Sequence, residues 1–300
     1  MTAFPRWIPL LLVGSALLAQ VPPPPPPPAP PAPPAPVIGV DVPSASRTEV
    51  RTEPLAKGSK LWVRNRNGAI RVTGWDKEEV SLTAQIRDSD RRRVSLVVQR
   101  KGADLDIEAA FQQPSWSIGV YVSPRCEMTL SVPRKLMGHF RTTNGTVSAE
   151  NLDGFARCEA TNGNILLTHI RGEVQVDTTN GSIEARGLSA RIKGSTTNGR
   201  IILEDVEGGI QLETTNGSIK AFRLDGWGEG IRLESTNGSI EVELGKATGD
   251  IVAENSNGSM DVRVAGAQVI EQTKHSARVK VPGRTQPIRL ETTNGSVRVK

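Results

Sequence analysis

Along the second half of the chain, apolar and polar positions alternate with period two, and the alternation restarts at a nearly fixed interval. In the stretch ending at Asn180, Val174, Val176, Thr178 and Asn180 alternate with Gln175, Asp177 and Thr179. This is the pattern of a strand with one buried face. Gly181-Ser182 turns the chain, Ile183 and Ala185 start a second short strand, Leu188 fills a corner, and Arg191-Ile192-Lys193 opens the next repeat. Asn-Gly pairs mark the beat at Asn144, Asn162, Asn180, Asn198, Asn216, Asn237, Asn257 and Asn294; the first four intervals are 18 residues and the next are 21, 20 and 37. A period near 20 belongs to a stacked solenoid, in which no coil buries its apolar face alone. The expected fold class is all-β: a parallel β-solenoid (β-helix) of about 8–9 coils with 18–21 residues per coil, over residues 134–300.

Aligning the coils on the Asn gives columns. Four residues before it lie Phe140, Cys158, Val176, Gly194, Leu212, Leu233, Ala253 and Leu290, and three after lie Val147, Ile165, Ile183, Ile201, Ile219, Ile240, Met260 and Val297. Parallel strands about 4.8 Å apart would set like side chains over each other, so the coils would form a rod of roughly 40 Å. The apolar columns do not recur every six residues, which argues against a triangular hexapeptide helix. The Asn column shares the parity of the apolar columns and is therefore predicted to lie inside, at the turn, as a structural ladder of hydrogen-bonded amides. Gly follows it because that position is expected to need φ > 0.

Other columns point outward. One residue before the Asn stands a Thr column, including Thr161, Thr179, Thr197, Thr215 and Thr236, which is a possible binding surface. Three before it stand Glu159, Asp177, Glu213, Glu234, Glu254 and Glu291, broken by Ser195. Stacked like charges repel, and the neighbouring column Arg157, Gln175, Lys193, Gln211, Arg232 and Arg289 can offset them. The simplest reading is a solvated, salt-bridged face. The alternative is a carboxylate ladder that collects Ca²⁺, the only cofactor the sequence suggests, or a linear groove for a polar polymer. Asp225-Gly226-Trp227-Gly228 is an insertion in one coil, and Trp227 is either a binding anchor or folded back on that coil.

Residues 44–133 are also β-patterned but less regular, with a hairpin signal at Lys101-Gly102. They read as a small antiparallel β region that caps the start of the solenoid. At the other end, one degenerate coil around residues 268–282 carries His275 near the expected Asn. The coil of Asn294 then ends at Lys300 with no evident cap, a candidate edge for self-association.

Composition narrows the picture. The chain is 37% hydrophobic but only 4% aromatic, so its core must be aliphatic. A net charge of +5 from 37 basic and 32 acidic residues gives no case for nucleic acid. Arg91-Arg92-Arg93 reads as a solvated turn. Arg6 and the apolar run over residues 8–18, followed by Ala19, read as an export signal over residues 1–19. That run is too short to span a membrane, and no later segment could. Residues 20–43 form a Pro/Ala-rich spacer whose composition favours extended polyproline II. Cys126 and Cys158 are the only cysteines. Export would permit a disulfide, while their parity suggests buried thiols.

Asn67-Gly68-Ala69-Ile70, then Gly74-Trp75-Asp76, then Thr-Asn-Gly-x-Ile coils separated by Leu152-Asp153-Gly154 and Leu224-Asp225-Gly226 resemble one family. It is the bacterial putative-adhesin family of exported β-solenoid domains, with relatives among the head domains of autotransporter-like adhesins. The resemblance covers residues 45–300. It implies an envelope or surface protein without catalysis, located in the periplasm, at the cell envelope or outside the cell. The expected function is a non-enzymatic solenoid that binds an envelope polymer or protein. The alternatives are an envelope stress-sensing accessory and a β-helix carbohydrate-active enzyme. The last would need paired carboxylates or a base beside bound Ca²⁺ as a local exception to the repeat, and the acids here stand in a uniform column.

Overall fold

The computed structural model describes residues 44–89, 93–112, 123–226, 228–283 and 286–300. The export signal, the whole Pro/Ala-rich spacer, Arg91, Arg92 and Trp227 lie outside the described residues.

Each coil places one strand before its Asn-Gly turn and one after it, and like strands stack in parallel. In the first ladder, Lys60–Asn67 pairs with Lys135–Asn144, followed by Asp153–Asn162, Arg171–Asn180 and the second half of Ile183–Asn198. Ile210–Asn216 and Ile231–Asn237 continue it. The register puts Asn against Asn at every step. The second ladder stacks the strands after the turn, from Ile70–Trp75 and Val147–Glu150 to Ile219–Leu224 and Ile240–Leu244. The long strand Ile183–Asn198 belongs to both ladders.

Alternation within each strand sends the aliphatic columns between the two ladders. Ile165, Ile183, Ile201, Ile219 and Ile240 are all fully buried there. Each such side chain contributes about 1.5–3 kcal/mol by leaving water.

The start of the stack is more mixed than the expected antiparallel region. Lys60–Asn67 and Ile70–Trp75 already form a parallel rung, centred on Asn67-Gly68, and an excursion separates this rung from the next in sequence. The excursion closes both ladders. Asp104–Phe111 adds in parallel to Lys60–Asn67, and Val94–Lys101 folds back on it across the Lys101-Gly102 turn. Arg125–Pro133 adds in parallel to Ile70–Trp75, and Glu79–Ser89 and Ser44–Pro54 follow antiparallel.

The far end corrects two expectations. Pro287–Asn294 is not the outermost rung: it lies between Ile231–Asn237 and Gly249–Asn257, paired in parallel with both. Val297–Val299 likewise lies between Ile240–Leu244 and Met260–Val262. The coil of Asn294 therefore offers no open edge for self-association. The degenerate segment is not a rung either. Gln268–Gln272 and Ser276–Val281 form an antiparallel hairpin whose second strand pairs with Gly249–Asn257 and covers that end of the first ladder.

Candidate functional site on the outer face

The Asn column has the predicted ladder but not the predicted burial. Thr178 is buried, whereas Thr179 and Asn180 are both exposed, and the same change occurs in the neighbouring coils. Strand alternation stops one residue before the turn, so parity fails there. The Asn side chains are satisfied by one another. Asn162 donates Nδ2–H to Asn144 Oδ1 at 2.9 Å, and Asn180, Asn198 and Asn216 each donate to the previous Asn at 2.8–2.9 Å. The chain continues as Asn237 to Asn216, Asn294 to Asn237 and Asn257 to Asn294. It thus follows the order of the rungs in space rather than in sequence.

The polar column that does lie inside was hidden in the same repeat, two residues before the Asn. Thr178 Oγ1 donates to Gly163 O at 3.0 Å, Thr196 to Gly181 O at 2.9 Å and Thr214 to Gly199 O at 3.0 Å. Ser235 and Thr292 continue the column to Gly217 O and Gly238 O. At the two end rungs the hydroxyl gives way to a longer amide. Asn65 Nδ2 reaches Cys126 O at 2.7 Å, and Asn255 Oδ1 meets His275 Nδ1 at 2.8 Å. Each ties its rung to the covering segment.

The turn glycines also need a different explanation. Positive φ occurs at Gly68, Gly145 and Gly258 but not at Gly163, Gly181, Gly199 or Gly217. There the constraint is contact between coils: a Cβ on Gly199 would sit 1.9 Å from Gly181 O.

Outside the ladder, Thr161, Thr179, Thr197, Thr215 and Thr236 are exposed in a row. The acidic column holds at most one carboxylate per rung, with Arg141 and Ser195 in its place on two rungs. Glu159 pairs with Arg157 at 2.5 Å and Arg141 at 3.6 Å, and Glu291 pairs with Arg289 at 3.6 Å. Glu234 pairs with Arg232, and Asp177 accepts from Ser195 Oγ at 3.1 Å. Among the described residues, no three His, Cys, Asp or Glu side chains converge as a metal site. The insertion of Pro287–Asn294 makes the acidic order in space Glu213, Glu234, Glu291, Glu254 on four successive rungs. These four, with Thr236, Ser256, Thr293 and His275 of the end hairpin, line a groove of about 380 Å³.

At the opposite end the outer face breaks its own pattern. Trp62 and His139 occupy the column that later holds Arg157, Gln175 and Lys193, and Met137 and Phe155 occupy the column that later holds Glu173 and Arg191. The Trp62 and His139 rings stack at 5.7 Å with an interplanar angle of 18°, and Phe155 tilts against His139 at 5.5 Å. Burial, together with the Arg157 and Lys60 cations, holds the His139 imidazole below its ordinary range despite Glu159. Extending the column alignment to the first coils would have exposed this break. Cys126 and Cys158 are buried free thiols, and burial pushes each up to about 12.

Among solved structures, the fold is similar to that of a putative lipid binding protein from Parabacteroides distasonis, at 15% identity and a TM-score of 0.50, over 84% of this chain and 97% of that one. A putative adhesin from Bacteroides fragilis is similar at 13% identity and a TM-score of 0.47, over 85% of this chain and 97% of that one. Likeness at such identity concerns the fold alone. No curated protein matches the chain. The match to a family model runs over residues 59–300, from the first rung to the last, and on it the chain belongs to the Toastrack DUF4097 family.

Proposed function

We propose that this protein is an exported, non-enzymatic, adhesin-like β-solenoid that binds a polymer at the cell envelope along its outer face. The observation that carries the reading is the groove of Glu213, Glu234, Glu291 and Glu254 beside the exposed hydroxyls of Thr236 and Thr293. Four carboxylates in register at strand spacing suit a linear ligand that presents amine or hydroxyl groups at a regular interval along the stack. Neither Glu213 nor Glu254 has an ion-pair partner among the described residues, so both are open to a ligand. One carboxylate per rung on a single face, rather than two facing across a bond, supports binding over hydrolysis. Arg6 with the apolar run over residues 8–18 supports export, and the similar structure from Parabacteroides distasonis, named a putative lipid binding protein, accords with a binding role.

The test is an array of envelope polysaccharides and polyamines probed with the full chain, with and without Ca²⁺. The reading expects saturable binding of a cationic or neutral polymer that the double variant Glu213→Gln, Glu254→Gln weakens at least tenfold. Binding that the double variant leaves unchanged, or product release from any polymer, would refute it.

A further inference from the structure

The break in the outer face borders an apolar groove of about 570 Å³ at the starts of the strands ending in Asn144, Asn162 and Asn180. This volume is in the range of small-molecule sites. Met137 and Phe155 line it, and Met137 is 45% exposed. Gly154 and Gly172 also line it, and neither can carry a side chain that would fill it. A Cβ on Gly154 would stand 2.6 Å from Leu136 O, and one on Gly172 would stand 2.2 Å from Gly154 O. The groove is therefore a consequence of how the coils stack.

Its charges are unbalanced. Lys135 lines the groove, Lys60 faces Met137 across the ladder on one side and Glu173 faces Phe155 on the other, so that with Arg171 and Asp153 three cations stand against two carboxylates. Neither lysine has an ion-pair partner among the described residues. Arg171 meets Asp153, the one carboxylate of the lining, only at 3.8 Å. An apolar surface flanked by unneutralised cations complements an apolar chain that ends in an anion. A sugar fits less well, because Trp62 and His139 turn their ring faces toward each other rather than outward.

We propose that this groove binds one single-chain anionic amphiphile as a monomer. Its alkyl chain lies on Met137 and Phe155, and its carboxylate or phosphate head pairs with Lys135. This site is on different rungs from the acidic groove and does not depend on polymer binding there.

The test uses the full chain with dodecyl phosphate below its critical micelle concentration, read by calorimetry and by the methyl signals of methionine. One-site binding is expected to shift Met137 and leave the buried Met128 in place. Each methylene removed from the buried part of the chain should weaken binding about fourfold. Met137→Lys should weaken it at least tenfold, and so should Phe155→Gln, which guards against a fold defect in either variant. Lys135→Glu should weaken dodecyl phosphate while sparing uncharged dodecyl maltoside. The proposal is overturned by no binding at millimolar probe, by affinity independent of chain length, by equal binding of both amphiphiles, or by indifference to both groove variants.

Discussion

Asn162 donates to Asn144 across 2.9 Å with both side chains exposed to solvent. A ladder of this kind is not forced by burial, since water could serve every amide. It holds because the register of the backbone brings each amide within reach of the next, at little further cost in ordering. A hydrogen bond of this kind contributes about 0.5–1.5 kcal/mol net, and aligned amides polarise one another in the same sense. The inner Thr–Gly bonds do the complementary work where water is absent: Thr214 is fully buried and spends its hydroxyl on Gly199 O.

Asn198 donates to Asn180 and accepts from Asn216. Asn198→Ala removes both bonds and should cost about 1–2 kcal/mol, read from urea unfolding. Asn198→Asp keeps the acceptor but faces Asn180 Oδ1 with a second oxygen. It should cost more at pH 7 than at pH 3, where a protonated carboxyl can donate.

The turn glycines separate contact from conformation. Gly199→Ala drives a Cβ to 1.9 Å from a backbone oxygen that only a moving coil can relieve, and a loss of at least about 3 kcal/mol is expected. Gly209 meets nothing nearer than 3.7 Å and has no positive φ. Gly209→Ala should change stability by less than about 1 kcal/mol. Thermal unfolding of the two variants is the check.

Much of this was legible in the chain. The period gave coils, the alternation gave the buried columns of Ile183 and its neighbours, and Thr179 was read correctly as outward. Parity misplaced Asn180 because alternation is a property of paired strand and ends where the turn begins. The second corner left only a weak compositional trace, since Asn, Asp, His and Gly favour the left-handed region and Arg does not. Asn151, His169, Asp205 and Arg223 all take φ near +50°, four residue types in one conformation, with Gly187 in the same place. The order of the last rungs was beyond reach for a different reason. A period tells which segments are equivalent, not which two a third segment enters between. The apolar break at Met137 and Phe155 lay in view but required a column that starts before the regular repeats.

That corner offers its own test. A left-handed conformation costs a non-glycine residue about 1–2 kcal/mol, while glycine pays part of this back in backbone entropy. His169→Gly should therefore raise stability by up to about 1 kcal/mol, and a β-branched His169→Val should lower it. Denaturation midpoints of the two variants decide.

The thiols predict a pH dependence. Burial raises Cys126 and Cys158 from 9.0 to about 12. Between these values the unfolded chain releases thiol protons that the folded chain keeps, so stability falls as pH rises from 9.0 toward 12. Replacing both with Ala should flatten that decline, and in the native protein neither should react with a thiol reagent until the chain unfolds.

The central claim is that the stack is one ladder in which the segment ending at Asn294 is an inner rung, held between Asn237 and Asn257 by amide bonds of 2.8 and 2.9 Å. Native-state amide hydrogen exchange tests it most directly. Residues 288–294 should be protected as strongly as residues 210–216 in the middle of the stack, while residues 268–272 at the hairpin edge exchange early. Rapid exchange over residues 288–294, with residues 249–257 retaining their protection, would contradict the account.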